Sequence, residues 1–528
     1  MNKVDRKRKK KRSNNTSKPN VAFNPVEATK ALQHAISLHK AGKIVKAIQS
    51  YKKALKLNPT NAKNYSYLGL ALQEKGQLLE ATNNFQKAIA IKPDYAQAHS
   101  NLGIVLQNQG LLKEAIISYK NSITHKPDYA GAYNNLGNAL KLQEKTEEAI
   151  INYQKAILYE PDYAEYYNNL GDALKDLGKI EEAIAKYLKA ISLKTDYAEA
   201  YYNLSLAQLL KGDFHNGFAN YNWRWKNEQY NTERYLLHAK KLWQGEPLED
   251  RRILVWSEQG LGENIIFSSI IHNFIKSGAK VVLECNARLV KIFERSFPAI
   301  TIRPHPKQFK TFEYNSEFDF IIPLGNLFGL LCSDISNLQS QPYHLIASNS
   351  KKEIYRNRYL KHSNNMLVGI AWHSNSSNYK HKSMALSELR PLLETPGVTF
   401  VDLQYGDTFK ERSKLISDTG ISIIHDEAVD QMGDLDDFGA QVAAMDLVVT
   451  ISNTTAHMAG ALGVPTILML SKLPIWYWML ESDYSPWYPS MTIFRLKKQG
   501  EWGEVIKNVT QAVRDRSADH NQLLTNEH

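Results

Sequence analysis

The sequence predicts an α-helical solenoid followed by an α/β region of two facing Rossmann-like halves. Three observations point there. Residues 28–231 repeat themselves with a period of 34. From Arg252 onward, short runs of Val, Ile and Leu alternate with helical stretches, the pattern of a parallel sheet covered on both faces. Asp446–Pro465 joins a strand pattern buried on both faces to a helix start rich in hydroxyl and amide side chains. With 528 residues the chain has room for about three domains. Its 43% hydrophobic and 23% charged residues are those of a soluble globular protein.

The net charge of +11 is not spread over the chain. Residues 1–18 hold nine Lys or Arg and one acid, Asp5, so they carry +8 and the remainder only +3. A nearly neutral body without a basic, aromatic platform argues against a nucleic-acid-binding protein. Residues 1–27 are expected to be a disordered basic tail in weak contact with anionic surfaces. The two cysteines, Cys285 and Cys332, lack metal-type spacing and form no disulfide framework. They favour a reducing, cytoplasmic compartment and no structural zinc. No apolar run approaches the roughly 20 residues of a membrane span, and the basic N-terminus lacks the apolar stretch of a secretory signal.

The repeat is written in columns. Pro59, Pro93, Pro127 and Pro161 fall 34 apart, as do Leu68-Gly69, Leu102-Gly103, Leu136-Gly137 and Leu170-Gly171. Ala47, Ala81, Ala115, Ala149 and Ala183 form another column, and Tyr51, Phe85, Tyr119, Tyr153 and Tyr187 a third. Small residues let paired helices approach, aromatics fill the gap, and Pro ends the second helix. The columns match the tetratricopeptide pattern, with five full repeats and a degenerate sixth that loses the pattern after Phe214. Asn101, Asn135, Asn169 and Asn203 precede the Leu of that column. An amide donates and accepts, so such a ladder suits the main chain of an extended peptide; equally, Asn is frequent here and can face solvent. The arrangement resembles the asparagine ladder of protein O-GlcNAc transferase.

An aromatic bridge, Tyr221–Trp225, and a linker over residues 232–251 lead to the first α/β half, residues 252–347. It reads as a strand at Ile253–Ser257, a tight turn at Gly260–Glu263, a helix at Asn264–Lys276, then strand, helix and two more strands. Residues 348–365 are polar and read as a connector. The second half, residues 366–515, holds strands at Met366–Trp372, Thr399–Leu403 and Ile421–Ile424, then Asp446–Leu470. Its last helix, Gly500–Asp515, is read as crossing back over the first half, and residues 516–528 as a tail. Within Asp446–Pro465, Ser452 to Thr455 cap a helix and Gly463-Val-Pro465 stops it. Free N–H groups beside a positive dipole end are where α/β proteins hold phosphates. A capped helix without a ligand is the alternative.

Arg252-Ile-Leu-Val followed by Gly260-Leu-Gly-Glu263, and Ile451-Ser-Asn-Thr-Thr-Ala-His457 through Pro465, resemble the two ends of the ADP-heptose:lipopolysaccharide heptosyltransferases. Joined to tetratricopeptide repeats, the chain is similar to bacterial TPR–glycosyltransferase proteins and shares its architecture with protein O-GlcNAc transferase. The resemblance implies a GT-B-type glycosyltransferase that needs no metal or other cofactor, with the acceptor on the first half and the nucleotide sugar on the second. Charge on the departing diphosphate is then met by helix N-termini, hydroxyls and Lys.

Carried over residue by residue, Glu263 stands where the family has an acidic residue, usually Asp, and takes the acceptor's proton. The alternative is a Glu complementing a helix dipole. Lys382 falls where relatives place a phosphate-binding Lys, or is a solvated loop residue. Asn453 replaces a common Asp, while Thr454 and Thr455 keep their hydroxyls. His457 contacts phosphate or packs against the sheet. His373 and Ser374 end a strand at the expected cleft. Trp476, Trp478, Trp487 and Tyr488 are expected to pack rather than stack on a ligand. The Asp434-Leu-Asp436 triad sits at a polar helix start, not where a metal-dependent transferase carries its Asp pair. The competing function is a protein-binding scaffold whose transferase-like domain has lost turnover.

Overall fold

A computed structural model describes residues 25–227, 241–258, 260–306, 317–331, 343–361, 364–374 and 382–526. Most of the basic tail, Cys332 and residues 379–381 lie outside the described residues. The chain forms two compact units, Met1–Ala173 and Leu174–His528.

The first unit is a stack of antiparallel helix pairs: α1 (Pro25–Lys40) with α2 (Ile44–Leu57), α3 (Ala62–Glu74) with α4 (Leu78–Ile91), α5 (Ala96–Asn108) with α6 (Leu112–His125) and α7 (Ala130–Leu142) with α8 (Thr146–Tyr159). The next helix, α9 (Ala164–Asp176), runs across the division between units. The sequence columns are the core. Ala47, Ala81, Ala115 and Ala149 are fully buried, and Tyr51, Phe85, Tyr119 and Tyr153 are at most 1% exposed. Three of these rings lie on a glycine of the facing helix: a Cβ at Gly69 would sit 2.8 Å from the Phe85 ring, one at Gly103 2.5 Å from Tyr119, and one at Gly137 2.6 Å from Tyr153. The turn inside each pair needs a left-handed residue. Gly42, Gly76 and Gly110 supply it, and Glu144 (φ 64°) fills the same slot without glycine.

The second unit opens with helices α10 (Ile180–Leu193), α11 (Ala198–Lys211) and α12 (Phe214–Tyr221), which carry the last repeats of the sequence. The sixth repeat is shortened, yet its aromatic slot survives: Tyr221, 34 residues after Tyr187, is 1% exposed. A 3-10 turn, Asn222–Lys226, ends the array.

A four-stranded parallel sheet of order β3-β2-β1-β4 follows, built from β1 (Arg252–Trp256), β2 (Lys280–Cys285), β3 (Thr301–Pro304) and β4 (Phe320–Pro323). Its helices are α13 (Leu261–Ser268), α14 (Ile271–Ile275), α15 (Val290–Ser296) and α16 (Leu324–Leu331). The next stretch, read as a connector, carries helix α17 (Asn349–Tyr359), held by Arg356 on Asp446 and by Arg358 and Tyr359 on Asp426.

The second sheet, parallel and five-stranded, has order β6-β5-β7-β8-β9. Its members are β5 (Met366–Ala371), β6 (Val398–Asp402), β7 (Leu447–Ile451), β8 (Thr466–Leu470) and β9 (Met491–Arg495). Around it lie α18 (Arg390–Leu393), α19 (Phe409–Thr419), α20 (Leu435–Ala443), α21 (Thr454–Ala461) and α22 (Gly503–Asn526). Strands β5 and β7 are buried along their whole length, and each fully buried Val, Leu or Ile contributes about 1.5–3 kcal/mol.

Four readings need correction. Gly260–Glu263 is not a free turn: Gly260 precedes α13, and Glu263 lies in its first helical turn. The helix expected over Asn264–Lys276 breaks between Ser268 and Ile271. Ile421–Ile424 makes only one bridge, Ile424 to Val401, instead of a strand. Finally, α22 stays on its own half, where Val505, Ile506, Val509 and Val513 join the core of the second sheet, and it runs on through the expected tail. Among the described residues no helix is long and apolar enough to cross a membrane.

Candidate functional site

Each sheet has one place where successive strands leave in opposite directions. In the first it lies between β1 and β4, beyond Trp256 and Pro323; in the second, between β5 and β7, beyond Ala371 and Ile451. Open α/β sheets bind ligands in such crevices at the carboxyl ends of the strands.

At the second crevice Asn453 caps α21, its Oδ1 accepting from the Ala456 amide at 3.1 Å and from Thr450 Oγ1 at 3.1 Å. Its Nδ2 reaches the His373 carbonyl at 3.5 Å, tying the ends of β5 and β7 together. Gln404 Oε1 accepts from the amides of Trp372 and His373, and the Ser374 amide donates to Ser383 Oγ. His373 itself is exposed and Ser374 is 9% exposed. At the tip of α21, Thr454 is half-buried, and the amides of Thr454 and Thr455 meet no acceptor among the described residues. Thr455 is fully buried, and its hydroxyl is spent on the Leu403 carbonyl at 3.2 Å. Asn453→Ala should cost about 1 kcal/mol of stability through loss of the cap, measured by chemical denaturation.

His457 is also committed. It is 1% exposed, bonded through Nδ1 to Tyr488 Oη at 3.0 Å, and stacked on Trp478 at 4.9 Å. Burial, with the Lys382 and His344 charges adding, lowers its pKa to about 3 and keeps it neutral. Lys382 is 7% exposed, and burial brings its pKa down to about 8.

The two crevices meet. Helix α13 packs on α21 so tightly that a Cβ at Gly262 would lie 2.7 Å from the His457 ring. Glu263, the next residue, has its pKa raised to about 7 by burial and by the Glu258 carboxylate, with the Gly260 amide and Arg224 opposing. The structure thus packs the helix of Glu263 against that of His457, places Lys382 near His457, and joins His373 to Asn453 at the second crevice, while Thr455 turns inward. A carboxyl raised toward neutrality, on a helix packed against the one that Asn453 caps, suits proton removal coupled to departure of an anion.

The Asp434 and Asp436 carboxylates are engaged elsewhere, by Lys291 at 2.7 Å and by Arg295 at 2.5 Å. Trp476, Trp478, Trp487 and Tyr488 are buried. They pack, with Phe328, around α12: Phe218 touches Phe328 and Trp476, and Phe214 touches Trp487. Elsewhere, a cavity of about 830 Å³ opens between β9 and the start of α22. Its Lys497 and Lys498 are paired with Glu504 and Glu501.

In the repeats, Asn135 Nδ2 donates to Ser100 Oγ at 3.5 Å and Asn169 Nδ2 to Asn134 Oδ1 at 2.9 Å, tying these two repeats to the ones before them. Asn101 and Asn203 are buried, and Asn101 Nδ2 has no hydrogen-bond partner among the described residues. The column therefore does not simply face solvent.

The sequence reading missed Arg224, Glu258 and Asn326 at the first crevice and Gln404 at the second. Glu258 stands two residues before Gly260, and Arg224 lies between two tryptophans, Trp223 and Trp225. Neither position marks a partner 34 or 102 residues away.

Residues 37–76, 72–110, 137–178 and 171–212 match the TPR repeat family, so the N-terminal region carries tetratricopeptide repeats. Protein FlbA of Caulobacter vibrioides is 29% identical over 325 residues, covering 59% of this chain and 54% of FlbA. The chain spans about half the length of that relative, and the match is too long to fit within residues 1–231 alone. Among solved structures, a thermophilic TPR protein of Thermus thermophilus is 22% identical, covering 34% of this chain and 99% of its own, with a TM-score of 0.31. YrrB, described as a TPR protein with an unusual peptide-binding site, is 20% identical, covering 36% of this chain and 97% of its own, with a TM-score of 0.29.

Proposed function

We propose that the chain is a metal-independent glycosyltransferase of GT-B type. It moves a sugar from a nucleotide-sugar donor to a hydroxyl, while the repeats, which point to protein–protein interaction, present a protein partner or acceptor. The observation that supports this reading is the close packing of α13 on α21 at Gly262 and His457, the helices that carry Glu263 and the capped Thr454–Thr455 start. The acceptor hydroxyl gives its proton to Glu263 as its oxygen bonds to the sugar carbon. The bond from that carbon to the phosphate oxygen breaks, and the diphosphate leaves with the electron pair. The Thr454 and Thr455 amides, the dipole of α21 and the Lys382 ammonium offset its charge.

The test is a panel of nucleoside diphosphates read by thermal shift, then of nucleotide sugars read by hydrolysis. A matching nucleotide at 100 times its dissociation constant adds about 2.7 kcal/mol, and Lys382→Met should remove most of that. The second reading, a scaffold with an inactive transferase-like domain, is favoured by Asn453, whose side chain is consumed in capping. Binding without turnover across the panel selects the scaffold. No stabilisation by any nucleotide rejects the donor site.

A further inference from the structure

The crevice of the first sheet is occupied by a side chain from the repeat array. Arg224, in the 3-10 turn that ends the array, is fully buried. Its Nη2 donates to Glu258 Oε1 at 2.7 Å and to Asn326 Oδ1 at 2.5 Å, and its Nη1 to the Tyr221 carbonyl at 3.0 Å. The guanidinium lies between the rings of Tyr221 and Trp225, 4.1 and 4.4 Å from their centroids. Trp225 Nε1 donates to the same Asn326 oxygen at 3.0 Å, and the Gly325 amide donates to Glu258 Oε1 at 3.1 Å. Gly325 must be glycine, because a Cβ there would drive into Glu258 Oε1.

A buried ion pair is a poor source of stability, since apolar replacements of similar volume often do as well. This pair therefore needs another reason. Glu258 lies two residues beyond β1 and Asn326 three beyond β4, in the first turn of α16, both at the crevice, and Glu258 stands five residues before Glu263.

We propose that Arg224 is a positioning residue for Glu263, acting through Glu258, so that the end of the repeat array completes the acceptor side of the site. The proposal rests on the transferase reading of Glu263. Among the described residues, two charged groups bear on Glu263. Glu258 lies at the end of β1 and Arg224 in the last turn of the array, and both act on it. From α21 comes His457, held neutral, with Lys382 next to it. Behind α13, His344 is buried, bonded to the Ile265 carbonyl, and lowered to about 4 by burial. Asn326 of α16 is uncharged. The Arg224–Glu258 pair is thus the part of this field supplied jointly by the array and the first sheet.

Glu258→Gln tests it. The amide keeps an oxygen for Arg224 and the Gly325 amide, while the negative neighbour of Glu263 disappears and the Arg224 charge is left unbalanced. Both changes favour ionised Glu263. The full chain labelled with ¹³C at Glu carboxyls, with the Glu263 signal identified by its loss in Glu263→Gln, should show the Glu263 midpoint falling from about 7 by roughly one pH unit or more. Arg224→Lys, which keeps the charge, should leave the midpoint near that of the parent. An unchanged midpoint in Glu258→Gln, or an equal fall in Arg224→Lys, overturns the proposal. The titration requires no turnover. Its failure rejects the role of Arg224, whereas absence of nucleotide binding in the separate panel rejects the transferase reading.

Discussion

Glu263→Gln should slow donor turnover by about 10²–10⁴-fold, the usual contribution of a positioned general base, while the matching nucleotide still stabilises the protein. In the parent the rate should climb as Glu263 ionises, with a midpoint of about 7; the residual rate of the variant should lack that limb. The same substitution makes a prediction that needs no substrate. Burial raises Glu263 above its ordinary value of 4.5 to about 7, so the folded state favours the protonated form. The resulting stability is fully present below pH 4.5 and is lost as pH rises through 7. Over that window the loss is about 3 kcal/mol. Glutamine, neutral throughout, escapes it. The melting temperature of Glu263→Gln should match the parent at pH 4 and exceed it at pH 8. A difference that ignores pH would remove Glu263 from its half-buried place beside Glu258.

The residues that made the fold legible are those whose partners recur at fixed spacing. Tyr119 meets Gly103, 16 residues away, and Tyr153 meets Gly137 in the same way. One column therefore predicts another, and helix pairs follow from sequence alone. Parallel strands were equally plain where burial on both faces gives an unbroken apolar run, as in β5 and β7. Ile421–Ile424 shows the limit. Its composition suits a strand, but residues 421–423 find no partner strand beside β6, so it stops at one bridge. Polar α17 was hidden for the opposite reason, because its mean hydropathy is low and ion pairs to Asp446 and Asp426 hold it.

The site was legible in part, and on the same principle. Asn453 declared itself as a cap because capping is local, acting over three residues. Whether His457 met a ligand or the sheet depended on Tyr488, 31 residues on, and on Gly262, nearly 200 residues back. Local spacing carries no such information. The asparagine column falls between these cases. Its period was plain, but its bonds to Ser100 and Asn134 in the preceding repeats were not.

Two glycines of one short segment should therefore behave in opposite ways. At Gly260 a Cβ meets nothing within 4 Å and φ is −62°, so Gly260→Ala should stay within about 0.5 kcal/mol of the parent. At Gly262 a Cβ would lie 2.7 Å from His457 Cδ2 and 3.2 Å from Nε2. The ring cannot withdraw, because Tyr488 holds its Nδ1 and Trp478 covers its face. Helix α13 must then move away from α21, and overpacking of this kind costs about 1–3 kcal/mol for alanine and more for valine. The movement would also part Glu263 from the start of α21. Gly262→Val should consequently lose stabilisation by nucleotide and any donor turnover together, whereas Gly260→Ala keeps both. Thermal melts with and without nucleotide read the two effects at once. Full turnover in Gly262→Val would mean that chemistry does not depend on the contact between the two crevices.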